Sequence, residues 1–205
     1  RQYMKSLANL GDYLDVYQIH SAPVEPGVLD NSRVIDRLAE MRDSGTIVGL
    51  TTSGPRQAEV IRKAIVIERG GERVFGTVQS TWNLLEQSAG PALAAAHAAG
   101  MGVLIKESLA NGRLTSRNQD EDFALNKQRL EIMGREYGVG MDAIALAFVL
   151  SRPWVHVVLS GAAVENHLLS NLNDFDPKRD LVPEEKLEEL DRFALNRHRQ
   201  VTNRV

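Results

Sequence analysis

Cysteine is absent from this chain of 205 residues, which excludes disulfides, thiolate metal sites and cysteine nucleophiles. No apolar run approaches the roughly 20 residues that a membrane-spanning helix needs. The formal net charge is only −3, so the chain has no general attraction to nucleic acid or to anionic membranes. No signal peptide is visible at the amino terminus, and the default expectation is therefore a cytoplasmic enzyme.

The motifs of several common sites are also missing. There is no G-x-G-x-x-G or G-x-x-x-x-G-K-[ST] phosphate loop, no H-E-x-x-H and no G-x-S-x-G. Histidines and carboxylates do not cluster at metal-ligand spacing, so no metal site is predicted. One weak phosphate signal is present, because residues 161–163 precede a predicted helix and its N-terminal N–H groups.

Short apolar segments alternate regularly with longer helical patterns along the chain. The predicted strands cover residues 13–20, 46–52, 74–80, 102–106 and 154–160. The predicted helices cover residues 1–10, 31–42, 55–68, 91–99, 122–137, 142–150 and 165–172, a final one begins at Pro183, and a solvated arginine-rich tail follows Asp191. This order, without any linker-like composition, predicts one α/β domain over residues 1–205 with parallel strands and right-handed crossovers.

Polar or reactive residues stand at the carboxyl end of every predicted strand. They are His20, Thr51 and Thr52, Gln79, Lys106 and Glu107, and Ser160 and Gly161. Each of them has a structural explanation when taken alone, such as a buried satisfied histidine or a lysine that extends to the surface. Together they predict a binding site, because the carboxyl ends of parallel strands are where α/β proteins bind ligands.

Five segments then match a known family in order. They are residues 6–20 (SLANLGDYLDVYQIH), 47–52 (IVGLTT), 78–85 (VQSTWNLL), 102–114 (GVLIKESLANGRL) and 159–162 (LSGA) with Leu168 and Asn171. The chain resembles the aldo/keto reductases, which are (β/α)8 barrels that reduce carbonyl groups with NADPH or NADH. The resemblance covers nearly the whole chain and implies an oxidoreductase that acts on small-molecule aldehydes or ketones.

The resemblance also implies roles for individual residues. His20 would orient the substrate carbonyl, and Thr51, Thr52 and Gln79 would hold the nicotinamide carboxamide. Ser108, Leu109 and Asn111 would lie along the pyrophosphate, and Gly161 and Asn171 near the adenosine. Lys106 replaces an aromatic residue that usually stacks on the nicotinamide ring, so its alkyl stem would cover that ring. Val164 stands where many members carry an arginine for the 2′-phosphate, and the choice between NADPH and NADH stays open.

By the same resemblance the five strands correspond to the fourth to eighth strands of the family's barrel. The predicted fold is therefore an incomplete (β/α)8 TIM barrel with its flanking helices. The segment with the family's catalytic tyrosine, aspartate and lysine has no counterpart here. The four tyrosines, Tyr3, Tyr13, Tyr17 and Tyr137, lie outside the matching context, so no proton donor is assigned. We expect poor turnover by the 205 residues alone, and completion of the barrel by further residues or by a homo-oligomer through the open edges.

Two other classes of function remain open at this stage. A non-catalytic nicotinamide-nucleotide-binding or scaffold subunit would retain the cofactor segments without the tyrosine. A Schiff-base lyase would use Lys106, since a lysine at the carboxyl end of a barrel strand is suitably placed for that chemistry. Neither class involves a nucleic acid or a membrane as partner.

Overall fold

The computed structural model describes residues 2–22 and 27–173, and these divide into two compact units. The first unit contains the chain up to Ser80 together with residues 88–104, and the second contains residues 81–87 and the chain from Ile105 onward. The boundary between the units falls inside one strand, Gly102–Lys106. None of the described helices is long and apolar enough to cross a membrane.

The first unit is built on parallel strands. Its elements in chain order are α1 (Gln2–Leu10), β1 (Val16–Ile19), α2 (Ser32–Asp43), β2 (Ile47–Thr51), α3 (Gln57–Ile65), β3 (Glu68–Arg69), β4 (Glu72–Arg73), β5 (Thr77–Thr81, except its last residue), α4 (Gly90–Ala98) and the start of β6 (Gly102–Lys106). β1 pairs with β2, and β2 pairs with β5, both in parallel. This arrangement confirms the predicted α/β fold with a parallel sheet.

The two faces of this sheet differ in burial. One face carries Leu50 and Val78, which are fully buried, and α2 packs against β2. The opposite face carries Val16 and Ile47, which are 39% and 46% exposed. Val16 and Ile47, at the amino ends of their strands, are therefore more exposed than the residues on the face that α2 covers.

α2 illustrates how the sequence specifies a helix in this unit. Asn31 caps its amino terminus, since the side-chain Oδ1 accepts a hydrogen bond from the Val34 N–H at 3.3 Å. Ile35 and Leu38, three residues apart, are both buried on the inner face. Arg42 near its carboxyl end donates to the Arg69 and Glu72 carbonyl oxygens, which ties the β3–β4 hairpin to the helix. The sequence did not predict this hairpin.

The second unit contains the end of β6 and the remaining elements. These are α5 (Ala124–Tyr137), α6 (Met141–Leu150), β7 (Val157–Val158) and α7 (Glu165–Asn173). Next to β7, the Leu159 N–H donates to the Ile105 carbonyl at 2.8 Å. α6 packs against α5 and is buried on almost every side, from Ala143 to Val149. Gly138 ends α5 in the left-handed conformation, with φ of 69°.

An aromatic cluster forms part of the core of the second unit. The Trp82 ring stacks on Phe148 with 5.0 Å between centroids and 4° between planes, and Trp154 meets it edge-on at 5.0 Å. The Arg152 guanidinium carbon lies 4.2 Å from the Phe148 ring centroid and 5.3 Å from that of Trp82. This cluster joins residues that follow β5 to residues in and after α6.

Most predicted elements are present with shifted ends. The strand at residues 102–106 has the predicted bounds, whereas the strand expected at 13–20 is shortened to Val16–Ile19 by a 3₁₀ turn at Gly11–Tyr13. The strand expected at 154–160 is reduced to Val157–Val158. The predicted helix from Pro183 and the arginine-rich tail lie outside the described residues.

Candidate functional site

Three of the sequence-predicted site residues lie in one row across the first unit. The register pairs Ile19 with Leu50 and Thr51 with Gln79. Continued by one residue, it places His20 beside Thr51, so that His20, Thr51 and Gln79 follow each other across neighbouring strands. Residues paired in parallel strands face the same side of the sheet. We call these three residues the polar row.

Thr51 holds the backbone that follows His20. Its Oγ1 accepts a hydrogen bond from the Ser21 N–H at 2.7 Å, and its carbonyl accepts one from the Ala22 N–H at 2.8 Å. Ser21 has a left-handed backbone with φ of 51°, which a side-chain-bearing residue adopts only when its surroundings hold it. Thr51 therefore positions the chain directly after the histidine.

The polar row offers hydrogen-bonding groups to a ligand. A threonine hydroxyl has one donor in addition to its acceptor capacity, and the Thr51 O–H has no acceptor among the described residues. The carboxamide of Gln79 is half-buried, and the His20 ring is exposed. In the same described part of the chain, neither of these two side chains has a hydrogen-bond partner of its own. An amide and two donors at one strand edge suit a ligand that carries carbonyl or amide groups.

A second polar contact lies directly beneath the polar row on the same face. The Gln18 Nε2 donates to the Thr77 Oγ1 at 3.2 Å across the intervening strand. Gly49 occupies the position between them, and a Cβ there would overlap the Thr77 Oγ1 and lie 3.0 Å from the Gln18 Cγ. Glycine is thus required at position 49 because two side chains meet over it.

Thr52, although predicted with Thr51, does not belong to the polar row. Successive residues of a strand point to opposite faces, and the Thr52 side chain is fully buried. Its hydroxyl lies 3.0 Å from the Ser80 Oγ, and its N–H donates to the Gln79 carbonyl at 2.8 Å. Thr52 is a structural neighbour of the row in this unit.

The tyrosines of the first unit lie elsewhere. Tyr17 is in the middle of β1, on the face opposite His20, and its ring meets that of Tyr3 edge-on at 5.2 Å. The Tyr3 hydroxyl is hydrogen-bonded to Thr46 at 2.8 Å, just before β2 begins. Tyr13 precedes β1 and is 90% exposed. No described tyrosine of this unit is therefore part of the polar row.

In the second unit, β6 ends in a strained loop. Lys106 is half-buried at the last position of the strand, and Glu107 follows it with a left-handed backbone, φ of 56°. Ala110 and Asn111 are also left-handed, with φ of 50° and 55°. Ser108 is buried, and its hydroxyl donates to the Leu159 carbonyl at 3.0 Å. Ser108 therefore ties this loop to the backbone of Leu159.

Asn83 holds this loop in its strained shape. Its Nδ2 donates to the Glu107 carbonyl at 2.7 Å, and its Oδ1 accepts from the N–H groups of Leu85 at 2.8 Å and Glu86 at 3.0 Å. The Glu107 carboxylate in turn accepts from the Thr81 hydroxyl at 3.2 Å. A buried amide that makes three hydrogen bonds to the backbone is a strong restraint on it.

We expect Asn83→Ala to lower the free energy of unfolding by about 2 kcal/mol, because three backbone groups each lose a hydrogen bond to the side chain. Urea unfolding measures the change. Asn9→Ala, at an exposed position of α1, is the matched control and should stay within about 0.5 kcal/mol of wild type. A loss at Asn83 no greater than that of the control would contradict the assigned restraint.

A cavity of about 260 Å³ lies in the second unit. Three predicted cofactor residues, Leu109, Gly161 and Asn171, are among its lining, whereas Lys106, Ser108 and Asn111 are not. Other lining residues are Thr115, Ser116, Arg117, Asp142, Ser160, Ala162, Asn166 and His167. Hydroxyls, amides, the Arg117 guanidinium and the Asp142 carboxylate make this cavity suitable for a polar ligand.

Two cavity residues that the sequence analysis missed are in contact with each other. The Arg117 Nη1 lies 2.6 Å from the His167 Nε2, and since the guanidinium can only donate, the imidazole nitrogen accepts. His167 and Asn171 are four residues apart on α7 and so share one helix face. That spacing was visible in the sequence. The proximity of Arg117, 50 residues earlier, was not.

No group of three or more histidines, aspartates or glutamates within the described ranges is arranged to hold a metal ion.

A family model described as the aldo/keto reductase family matches residues 1–194. Among solved structures, an aldo-keto reductase from Bacillus halodurans in its holo form superimposes with a TM-score of 0.73 at 17% identity. An aldo/keto reductase from Klebsiella pneumoniae in complex with NADP and acetate superimposes with a TM-score of 0.69 at 20% identity. These alignments cover 94% and 93% of this chain, and they span 65% and 62% of the length of those two proteins.

A much shorter similarity involves a different class of enzyme. The isoleucine–tRNA ligase of Synechococcus sp. is 62% identical over 34 residues, which are 17% of this chain and 4% of the ligase. The corresponding ligase of Moorella thermoacetica is 55% identical over 38 residues. Segments of this length carry no information about the fold or activity of the whole chain.

Proposed function

This chain belongs to the aldo/keto reductase family, and we propose that it forms part of an oxidoreductase that reduces aldehyde or ketone groups with NADPH or NADH. The observation that carries the proposal is the polar row. A histidine, a threonine with an available O–H and a half-buried glutamine amide lie side by side at the carboxyl edge of parallel strands. A carbonyl substrate and a nicotinamide carboxamide both need hydrogen-bonding groups of this kind.

Each unit, taken by itself, offers groups that suit part of a nicotinamide cofactor. In the first unit, Thr51 and Gln79 offer a donor and an amide for a carboxamide. In the second unit, Arg117 and the amide of Asn171 offer partners for phosphate and adenosine groups. When bound, a dihydronicotinamide supplies the hydride for carbonyl reduction. Lys106 would cover the ring with its alkyl stem. Titration of the protein with NADPH and with NADH decides which of the two it prefers.

His20 is proposed to act on the substrate carbonyl. A ring N–H donated to the carbonyl oxygen orients the substrate and stabilises the negative charge that develops on that oxygen. The exposed ring is accessible to a small substrate, and the Ser21 turn held by Thr51 keeps the backbone after His20 in place. Reduction also requires a proton for the oxygen, and the proposal assigns that role to no residue of this chain.

For the fold, we propose that the strands of this chain are the fourth to eighth of an eight-stranded barrel, and that residues 1–205 act as a single aldo/keto reductase-like domain. Additional strands, from further residues or from a second copy of the chain, would then cover the exposed face with Val16 and Ile47. We propose a cytoplasmic location and no nucleic-acid or membrane partner.

A second candidate is a non-catalytic subunit that binds nicotinamide nucleotides. One observation favours it, namely that Tyr3 and Tyr17 are packed away from the polar row. Titration of NADPH and NADH, followed by nucleotide fluorescence, measures binding. Absorbance during incubation with a panel of small aldehydes and ketones measures turnover. Binding without turnover would support the second candidate, and no binding of either nucleotide would overturn both.

Where turnover is measured, we expect His20→Ala to lower kcat/KM for the carbonyl substrate about 10- to 100-fold, because one hydrogen bond to the reacting oxygen is lost. His97→Ala, at the exposed end of α4, is the matched control and should leave the rate unchanged. Turnover that survives the His20 change undiminished would remove His20 from the proposed mechanism.

A further inference from the structure

Three buried polar side chains lie behind the polar row, on the opposite face of the sheet. They are Thr52 and Ser80, both 0% exposed, and Gln57 at the start of α3, 1% exposed. Thr52 follows Thr51 directly, and Ser80 follows Gln79. Each member of this group except Gln57 is therefore one peptide bond away from a residue of the row.

The hydrogen bonds among them run in one direction. The Ser80 Oγ lies 2.8 Å from the Gln57 Oε1, and because an amide oxygen can only accept, Ser80 donates. The Thr52 hydroxyl then donates to the Ser80 Oγ at 3.0 Å. These hydrogen bonds form a continuous series from Thr52 through Ser80 to Gln57, which we call the buried relay. It links the ends of two strands to the first turn of a helix.

The buried relay lies at the point where β2 ends. The Thr52 N–H donates to the Gln79 carbonyl at 2.8 Å just after β2 ends at Thr51. The relay on the buried face thus restrains the same two strand ends that carry Thr51 and Gln79 on the other face. The Gln79 carbonyl also lies 3.3 Å from the Thr52 Oγ1, so it is a second acceptor for the single Thr52 hydroxyl proton.

We propose that Gln57 and Ser80 are positioning residues, which set the spacing of Thr51 and Gln79 and so the affinity for the nicotinamide end of the cofactor. This inference rests on the proposed function. An apolar pair would fill the same space at similar stability, because hydrogen bonds contribute little net free energy when both partners are replaced together. What an apolar pair lacks is the direction of the bonds, which holds a binding geometry within a few tenths of an ångström.

The experiment compares Ser80→Ala with the double variant Ser80→Ala/Gln57→Met in the full chain. The single variant removes the Ser80 hydroxyl that donates to the Gln57 Oε1, and we expect a lower Tm. In the double variant both Ser80 and Gln57 lose their polar groups, and the Thr52 hydroxyl can donate to the Gln79 carbonyl instead. We therefore expect much of the lost Tm to return. The two probes are NADPH and ADP-ribose, which lacks the nicotinamide. We expect the double variant to bind NADPH about tenfold more weakly than wild type and ADP-ribose within twofold of wild type.

A double variant that binds NADPH as wild type does would overturn the inference, and so would an equal loss of affinity for both probes. A merely structural role would change the Tm and leave the ratio of the two affinities constant. If wild type binds neither NADPH nor NADH, the proposed function fails and the inference fails with it. That outcome differs from the first two, in which wild-type binding is intact.

Discussion

Replacement of Trp82 with alanine is expected to lower the free energy of unfolding of the second unit by about 3 to 5 kcal/mol. The Trp82 ring stacks on Phe148, meets Trp154 edge-on and carries the Arg152 guanidinium near its face. Alanine removes these contacts and leaves a cavity in a core that cannot fully collapse. It also removes part of the aromatic surroundings of the half-buried Arg152 side chain.

The chain provides a direct probe for this measurement. Trp82 and Trp154 are its two tryptophans, and both lie in the cluster, so the fluorescence of Trp154 in the variant reports on the same core. Urea titration followed by that fluorescence gives the change in stability. Trp82→Phe is the matched control, because it retains a stacking ring and removes an indole Nε1 that is buried without a partner among the described residues. We expect Trp82→Phe to lower the free energy of unfolding by less than half as much as Trp82→Ala. Equal losses from the two variants would contradict the assigned stacking.

Gly49→Ala is expected to destabilise the first unit by about 2 to 4 kcal/mol. The new Cβ would overlap the Thr77 Oγ1 and lie 3.0 Å and 3.1 Å from the Gln18 Cγ and Nε2. Thr77 must then rotate or β2 must move, and either change breaks the Gln18–Thr77 hydrogen bond. Because Thr77 is short and 8% exposed, it has little freedom to move away.

A second substitution tests this explanation. In Gly49→Ala/Thr77→Ala, the atom that the new Cβ would overlap is gone, and we expect at least half of the lost stability to return. Thermal unfolding followed by circular dichroism compares the double variant with both single variants. Additive losses from the two single changes would show that the clash with Thr77 is not the cause. Gln18, Gly49 and Thr77 each lie two residues before a member of the polar row. Nucleotide titration of the stable variants therefore also shows whether the row depends on this contact.

The two units offer different chemical groups to a ligand. The first unit offers the polar row, which suits carbonyl and amide groups, and its geometry depends on Thr51, the Ser21 turn and the buried relay. The second unit offers a cavity with a guanidinium, and its loop depends on Asn83 and Ser108. In both units, hydrogen bonds from buried polar residues hold the backbone near the residues proposed to bind a ligand.

The sequence alone predicted the alternation of strands and helices, because apolar runs and helical periodicity are local properties of the chain. β6 at Gly102–Lys106 has the predicted bounds, and α2 at Ser32–Asp43 is shifted by one residue from the predicted 31–42. It also predicted that polar residues stand at strand ends, and it identified the family by the order of its motifs. These features depend on residues that are close together along the chain.

Tertiary structure alone decided which of those residues act together. Thr51 and Thr52 are equivalent in sequence, and the register with Gln79 assigns one to the polar row and the other to the buried face. Residues 23 to 59 positions apart form the Gln18–Thr77 contact and the Thr52–Ser80–Gln57 relay. The requirement for glycine at position 49 arises from that same register. Such contacts are not readable from local sequence, because they depend on how one strand is aligned against the next, and the packing of the whole unit sets that alignment.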